Sequence, residues 1–166
     1  KLVEDSGAAV LLRHVGLVSG ATWCDLDGDG FPELILACEW GPIKVFRYPD
    51  QREWRELTAN LGLDNYQGWW NGVSAGDFDG DGRMDLVASN WGQNHKYQTY
   101  RQQPLRLYHG DFAESGGVDL LEAYYEPAMA KIVPWQHLGR VGPALPFVTG
   151  RYDTVRKFGQ ASIAEI

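Results

Sequence analysis

Two ten-residue stretches concentrate carboxylates in a pattern that can do chemistry. "DLDGDGFPEL" (25–34) and "DFDGDGRMDL" (77–86) both read D-x-D-G-D-G-x-x-[DE]-L. Aspartates at positions 1, 3 and 5 of a tight loop converge on one point, and glycine at position 6 permits a left-handed bend. The position 7 carbonyl then turns inward, and a carboxylate at position 9 closes the shell. Only hard oxygen donors are offered, which selects Ca2+ over zinc or copper. Mg2+ fits less well because it prefers a smaller shell and keeps its waters. The expected ligands are Asp25, Asp27, Asp29 and Glu33 with the Phe31 carbonyl in loop 1. In loop 2 they are Asp77, Asp79, Asp81 and Asp85 with the Arg83 carbonyl. An exposed acidic turn is the plainer alternative, since D-G and G-D-G form turns readily. Four carboxylates at matched offsets, twice, weigh against it.

A third, decayed copy is "DFAESGGVDL" (111–120), which keeps Asp111, Gly116, Asp119 and Leu120 at the matching offsets. Ala113 and Ser115 stand where aspartates should be, so this loop is expected to be empty of metal. An EF-hand is the rival for the two complete loops. It requires a bidentate Glu at position 12 and a helix on each side. Position 12 is Leu36 in one loop and Ala88 in the other, and the flanks read as strands.

The elements that must position these loops are short β-rich runs bounded by Gly, Pro, Asp and Asn. They are "ATWC", "ELILAC", "IKVFR", "EWREL", "GVSAG", "DLVAS", "LRLYH" and "VDLLEAYY". Each acidic loop lies between two of them. The motif starts are 52 and 34 residues apart. The first spacing suits a four-stranded unit; the second implies a lost strand, with the polar stretch 92–104 as loop. Repeated four-stranded units predict a mainly β chain of two to three β-propeller blades. Residues 1–126 are read as the blades and 127–166 as a C-terminal segment. One helix is expected there, starting at Asp153 or Thr154 and carrying Val155, Phe158, Ala161 and Ile166 on one face.

Composition sets the class of partner. The formal charge is −7, which argues against nucleic acid or an anionic membrane surface. Eight of the 22 acidic residues lie in the two complete loops, and each Ca2+ bound there would cancel two of the excess negative charges. No run of 18 apolar residues exists, so no helical span is expected. Calcium modules of roughly 10⁻⁴ to 10⁻³ M affinity work outside the cytosol, so a secreted, periplasmic or surface setting is expected. Cys24 and Cys38 flank loop 1. In a hairpin centred there they sit about 10 Å apart, too far for a disulfide, and they read as two small buried residues.

At these residues the sequence resembles a known family. "GVSAGDFDGDGRMDLVASNWG" is similar to the FG-GAP or VCBS-type repeat of integrin-alpha-like β-propellers. "WRELTANLGLDNYQGWWNGVSAGDFDGDGRMDLV" resembles the bacterial, cartilage-acidic-protein-like branch, where a segment ending T-x-x-x-G-L precedes each calcium strand. The resemblance spans roughly residues 10–125. It implies calcium in hairpin loops on one rim of a propeller and extracellular roles in adhesion or recognition. A closed ring of this family has about seven blades. Two or three cannot close, so the chain is expected to be a fragment, or its open edges to be covered by the tail, by further blades or by another chain.

A second candidate site is aromatic. "DNYQGWWNG" and "SNWGQNHKY" place Tyr66, Trp69, Trp70, Trp91 and Tyr97 around loop 2, with Asn71, Asn90, Gln93 and Asn94 among them. Flat rings beside amides suit sugars. Packing between blades is the alternative, and Trp91 has a repeat-equivalent in Trp40. The ligand candidates are Tyr66, Trp69, Trp70 and Asn71. No nucleophile–base set is visible, and His14, His95, His109 and His137 are scattered. The leading expectation is a non-enzymatic, calcium-stabilised module that recognises a protein partner. The alternatives are a lectin-like propeller using residues 64–72 and a piece of a propeller polysaccharide lyase.

Overall fold

A computed structural model of the chain describes residues 4–48, 53–93, 95–100 and 103–166. Asn94 lies outside them. The chain is mainly β, with two open antiparallel sheets and a few short helices. It forms two compact units, Lys1–Gly92 and Gln93–Ile166. The division falls at the polar stretch where the second repeat loses its strands. The described part of that stretch is turn with a single 3-10 turn at Gln98–Tyr100.

The first unit opens with helix α1 (Ser6–Leu12), whose N-cap Asp5 accepts from the backbone N–H of Gly7 and Ala8. Six strands follow: β1 (Leu17–Cys24), β2 (Glu33–Gly41), β3 (Ile43–Arg47), β4 (Arg55–Glu56), β5 (Gly68–Gly76) and β6 (Asp85–Asn90). The sheet runs β4-β3-β2-β5-β6, and β1 also pairs with β2. One edge of β2 is shared: β1 takes Glu33 to Glu39, and β5 takes over at Glu39 and Gly41. A register shift between Glu39 and Gly41 makes that handover, with Trp40 at a positive φ of 57°.

Strand β2 is buried on both faces, as its run of aliphatics requires. Ile35 and Ala37 pack with Cys24, Ile43 and Val45, and Val73, Ala75, Leu86 and Ala88 from the second hairpin close over them. Leu34, Leu36, Cys38 and Phe46 face the other way, against Leu11, Leu12, Val15 and Trp54. Burying each large aliphatic side chain contributes about 1.5–3 kcal/mol. The two thiols lie on opposite faces of β2, both free and buried. Burial raises both thiol pKa values, helped at Cys24 by the charges of Asp25 and Glu33.

In the second unit, β7 (Arg106–Gly110), β8 (Asp119–Glu126) and β9 (Lys131–Pro134) form a meander. Helices α2 (Leu138–Ala144), α3 (Pro146–Arg151) and α4 (Val155–Phe158) follow. Val141, Leu145, Val148 and Phe158 form a core with Leu121 of β8. The tail therefore holds three short helices where the sequence pattern predicts one. The predicted helix is a single turn capped by the Thr154 side chain, and Gly159 follows its last residue. Residues 138–151 are rich in Gly and Pro and read poorly as helix; burial of Val141 and Val148 overrides that propensity. The sequence pattern likewise predicts no strand at "KIVP", where β9 forms.

Among the described residues no helix is long and apolar enough to cross a membrane. The open sheets fit a piece of a β-propeller.

Candidate metal centre

Each acidic loop is the corner of an antiparallel hairpin, and all three hairpins share one register. The residue before the first aspartate pairs with the acidic residue at position 9: Cys24 with Glu33, Gly76 with Asp85, Gly110 with Asp119. The backbone also repeats. Positions 4 and 6 take positive φ in loop 1 (Gly28, Gly30), loop 2 (Gly80, Gly82) and loop 3 (Glu114, Gly116). The bend is thus a property of the local hydrogen bonds rather than of a full set of aspartates.

Those bonds are alike in loops 1 and 2. Asp25 Oδ1 accepts from the N–H of Gly28 and Asp29, and its Oδ2 from Gly30, at 2.8–3.1 Å. Asp77 does the same with Gly80, Asp81 and Gly82 at 2.7–3.1 Å. Asp27 Oδ1 and Asp79 Oδ1 accept from the N–H two residues on. Asp29 Oδ1 and Asp81 Oδ1 take the N–H of Phe31 and Arg83, the residues expected to offer carbonyls. Glu33 Oε2 and Asp85 Oδ2 reach back to the N–H of Leu26 and Phe78. In loop 3, Asp111 accepts from Ser115 and Gly116, while Asp119 accepts from Ala113.

Carboxylate oxygens of Asp25, Asp27 and Asp29 lie within 4.8 Å of one another, as do those of Asp77, Asp79 and Asp85. Ligands on a common Ca2+ at 2.3–2.6 Å can be at most about 5 Å apart, so both trios fit that ion. The donor set, oxygen only and exposed or half-buried, fits it too. Asp81 and Glu33 stand outside these trios. In loop 2 Asp79 Oδ2, Asp81 Oδ2 and Asp85 Oδ1 have no hydrogen bond or ion pair with a described residue.

Loop 1 contains a neighbour that loop 2 lacks. The β2–β3 register pairs Leu34 with Phe46, which brings Arg47 opposite Glu33. The Arg47 guanidinium pairs with Asp27 Oδ2 at 2.8 Å, with Asp29 Oδ2, and with Glu33 Oε1 at 3.5 Å. Glu33 is 2% exposed, and its Oε1 accepts no hydrogen bond. Burial pushes the Glu33 carboxyl up from its ordinary value, against the Leu26 N–H and Arg47. Asp29 is held below its ordinary value, first by the N–H of Phe31 and then by Arg47. Burial alone would lower the Arg47 pKa; the carboxylates of Asp27, Asp29 and Glu33 reverse this and raise it. Nothing in the D-x-D-G-D-G motif points to Arg47, which lies on the next strand. Its signal is the short run of five residues, 38–42, between the paired Ala37 and Ile43, which sets the register.

The aromatic candidates separate by position. Trp69 stacks on Trp91 with ring centroids 4.0 Å apart and nearly parallel planes, and meets Trp40 on a tilted contact at 5.6 Å. The repeat-equivalent pair Trp40 and Trp91 thus holds Trp69 between them. Trp70 packs against the Ile35–Val45 core and donates its indole N–H to the Tyr66 carbonyl. Tyr66 is 62% exposed and Asn71 is exposed. Asn90 Oδ1 accepts from Gly92. Tyr97 belongs to the second unit, buried beside Trp135.

Compared with known proteins, residues 25–88 match the family model of an FG-GAP-like repeat, a span that takes in both complete loops. No curated protein and no solved structure matched the chain.

Proposed function

The chain carries an FG-GAP-like repeat over residues 25–88, and from that premise we propose that it is a calcium-stabilised, non-enzymatic recognition module of an extracellular, periplasmic or surface protein. The observation that carries this reading is the convergence of Asp77, Asp79 and Asp85 within 4.8 Å at a solvent-open hairpin corner. Three carboxylates held this close repel one another, and a divalent cation relieves that repulsion while stiffening the turn. The loop supplies the donors itself, so the ion's role is to fix the corner of a blade rather than to activate a substrate. Protein partners, further blades among them, would meet the open edges of the sheet. An adhesion role of the integrin-alpha-like kind and the cartilage-acidic-protein-like branch both belong to this proposal.

A carbohydrate ligand is the second reading, and the exposed Tyr66 ring beside exposed Asn71 is what favours it. Trp69 and Trp70 would support that site from behind, since both are engaged in packing.

The test has two stages. Thermal melts with calcium and with a chelator should differ, and Asp79→Ala should remove the difference; identical melts in all cases would sink the calcium reading. The immobilised chain is then probed with glycans and extracellular matrix proteins, with calcium and with chelator. Calcium-dependent protein binding supports recognition, glycan binding lost in Tyr66→Ala supports the second reading, and release of unsaturated sugars would replace both with a lyase.

A further inference from the structure

Bond by bond, loops 1 and 2 differ at only a few carboxylate oxygens. Five carboxylate oxygens of each loop have equivalent roles; the remaining contrast lies in three. In loop 2 these are Asp79 Oδ2, Asp81 Oδ2 and Asp85 Oδ1, which have no hydrogen bond or ion pair with a described residue. Their counterparts in loop 1 are Asp27 Oδ2, Asp29 Oδ2 and Glu33 Oε1, and Arg47 takes all three.

We propose that Arg47 is the resident cation of loop 1. Its guanidinium holds the loop's carboxylates together without metal, so calcium enters loop 1 only by displacing it, whereas loop 2 takes calcium directly. This inference rests on the calcium reading above. Arginine suits the task because three nitrogens of a rigid planar fork can each meet a different carboxylate. It is also held ready: Val45 and Phe46, its neighbours on β3, are 0% and 1% exposed. Among the described residues loop 2 has no such strand, because the second repeat continues from β6 into turn and a 3-10 turn. Its own Arg83 is exposed and makes no ion pair with a described residue. The consequence is a division of labour. Loop 1 is a corner that stays closed at any calcium level, and loop 2 is the corner that senses the ion.

Calcium titration calorimetry on the full chain tests this, using wild type, Arg47→Gln and Asp79→Ala. Wild type should show one site, lost in Asp79→Ala, and a second at least about tenfold weaker, the order expected for displacing a bound charge. Arg47→Gln should tighten the second site by about tenfold and leave the first unchanged. Without calcium Arg47→Gln should melt below wild type, and saturating calcium should close that gap. Two equal wild-type sites that Arg47→Gln does not alter would overturn the Arg47 inference and leave the calcium reading standing. Absence of binding in every folded protein would overturn both. If Arg47→Gln does not fold, the Arg47 side-chain N–H resonance of the wild-type chain decides: it should move only in the weaker binding step, and movement in the tighter step alone overturns the inference.

Discussion

Loop 1 and loop 2 have nearly the same sequence, register and backbone cage, yet they sit in different surroundings. Loop 1 closes a hairpin whose second strand is buried on both faces and flanked by a third strand, which delivers Arg47 to its carboxylates. Loop 2 closes a hairpin ending in β6, the last strand of the sheet, with its carboxylates facing solvent. The acidic motif therefore specifies a corner, and the neighbouring strand decides whether an arginine reaches its carboxylates. Loop 3 extends the comparison, since it keeps the register and the left-handed bend with only two of the four carboxylates.

The comparison can be broken most sharply at position 9. In chelator, Glu33→Ala should destabilise by about 3 kcal/mol, because it leaves Arg47 and the Leu26 N–H short of a buried partner. The equivalent Asp85→Ala should cost under about 1 kcal/mol, since water can replace its bond to Phe78. Urea denaturation of both variants measures the difference, and equal losses would mean that the third strand does not distinguish the loops.

Calcium should act in the opposite sense. At ten times Kd it should add roughly 1.4 kcal/mol through loop 2. That gain should vanish in Asp79→Ala and survive in Asp27→Ala, as read from melting temperature. A smaller effect concerns the bend. Glu114 holds the left-handed position that glycine fills in the other loops. Glu114→Gly should therefore stabilise the second unit by up to about 1 kcal/mol, and Gly80→Ala should lose a similar amount.

The smallest expected effect is a control away from both complete loops. Glu165 is held at about 2, below its ordinary 4.5, by the N–H and hydroxyl of Ser162 and by Lys131. A depressed carboxyl pKa stabilises the fold fully above the ordinary value and loses that contribution as pH falls from about 4.5 towards 2. Glu165→Gln should lower the melting temperature slightly at neutral pH, with the gap closing across that window. The gap should be the same with and without calcium; if calcium changes it, the acid response is not separate from the loops.

Much of the site was legible because its bonds are local. Every cage contact in loops 1 and 2 joins residues no more than seven apart, so spacing alone foretold hairpins, bends and convergent carboxylates. The strands were legible for the same reason, through short β-rich runs between turn formers. The sequence by itself determined the three corners and the donor set of two of them. Tertiary structure decided the rest, because it depends on partners far along the chain. Arg47 reaches Asp29 across 18 residues, and the Ser19 hydroxyl meets the Trp70 carbonyl across 51. Burial of Val141 and Val148 made helices from a Gly- and Pro-rich segment that local propensity disfavours. Only strand pairing could show that two loops with one motif have different neighbours, because the cationic side chain that meets the carboxylates of loop 1 comes from the adjacent strand.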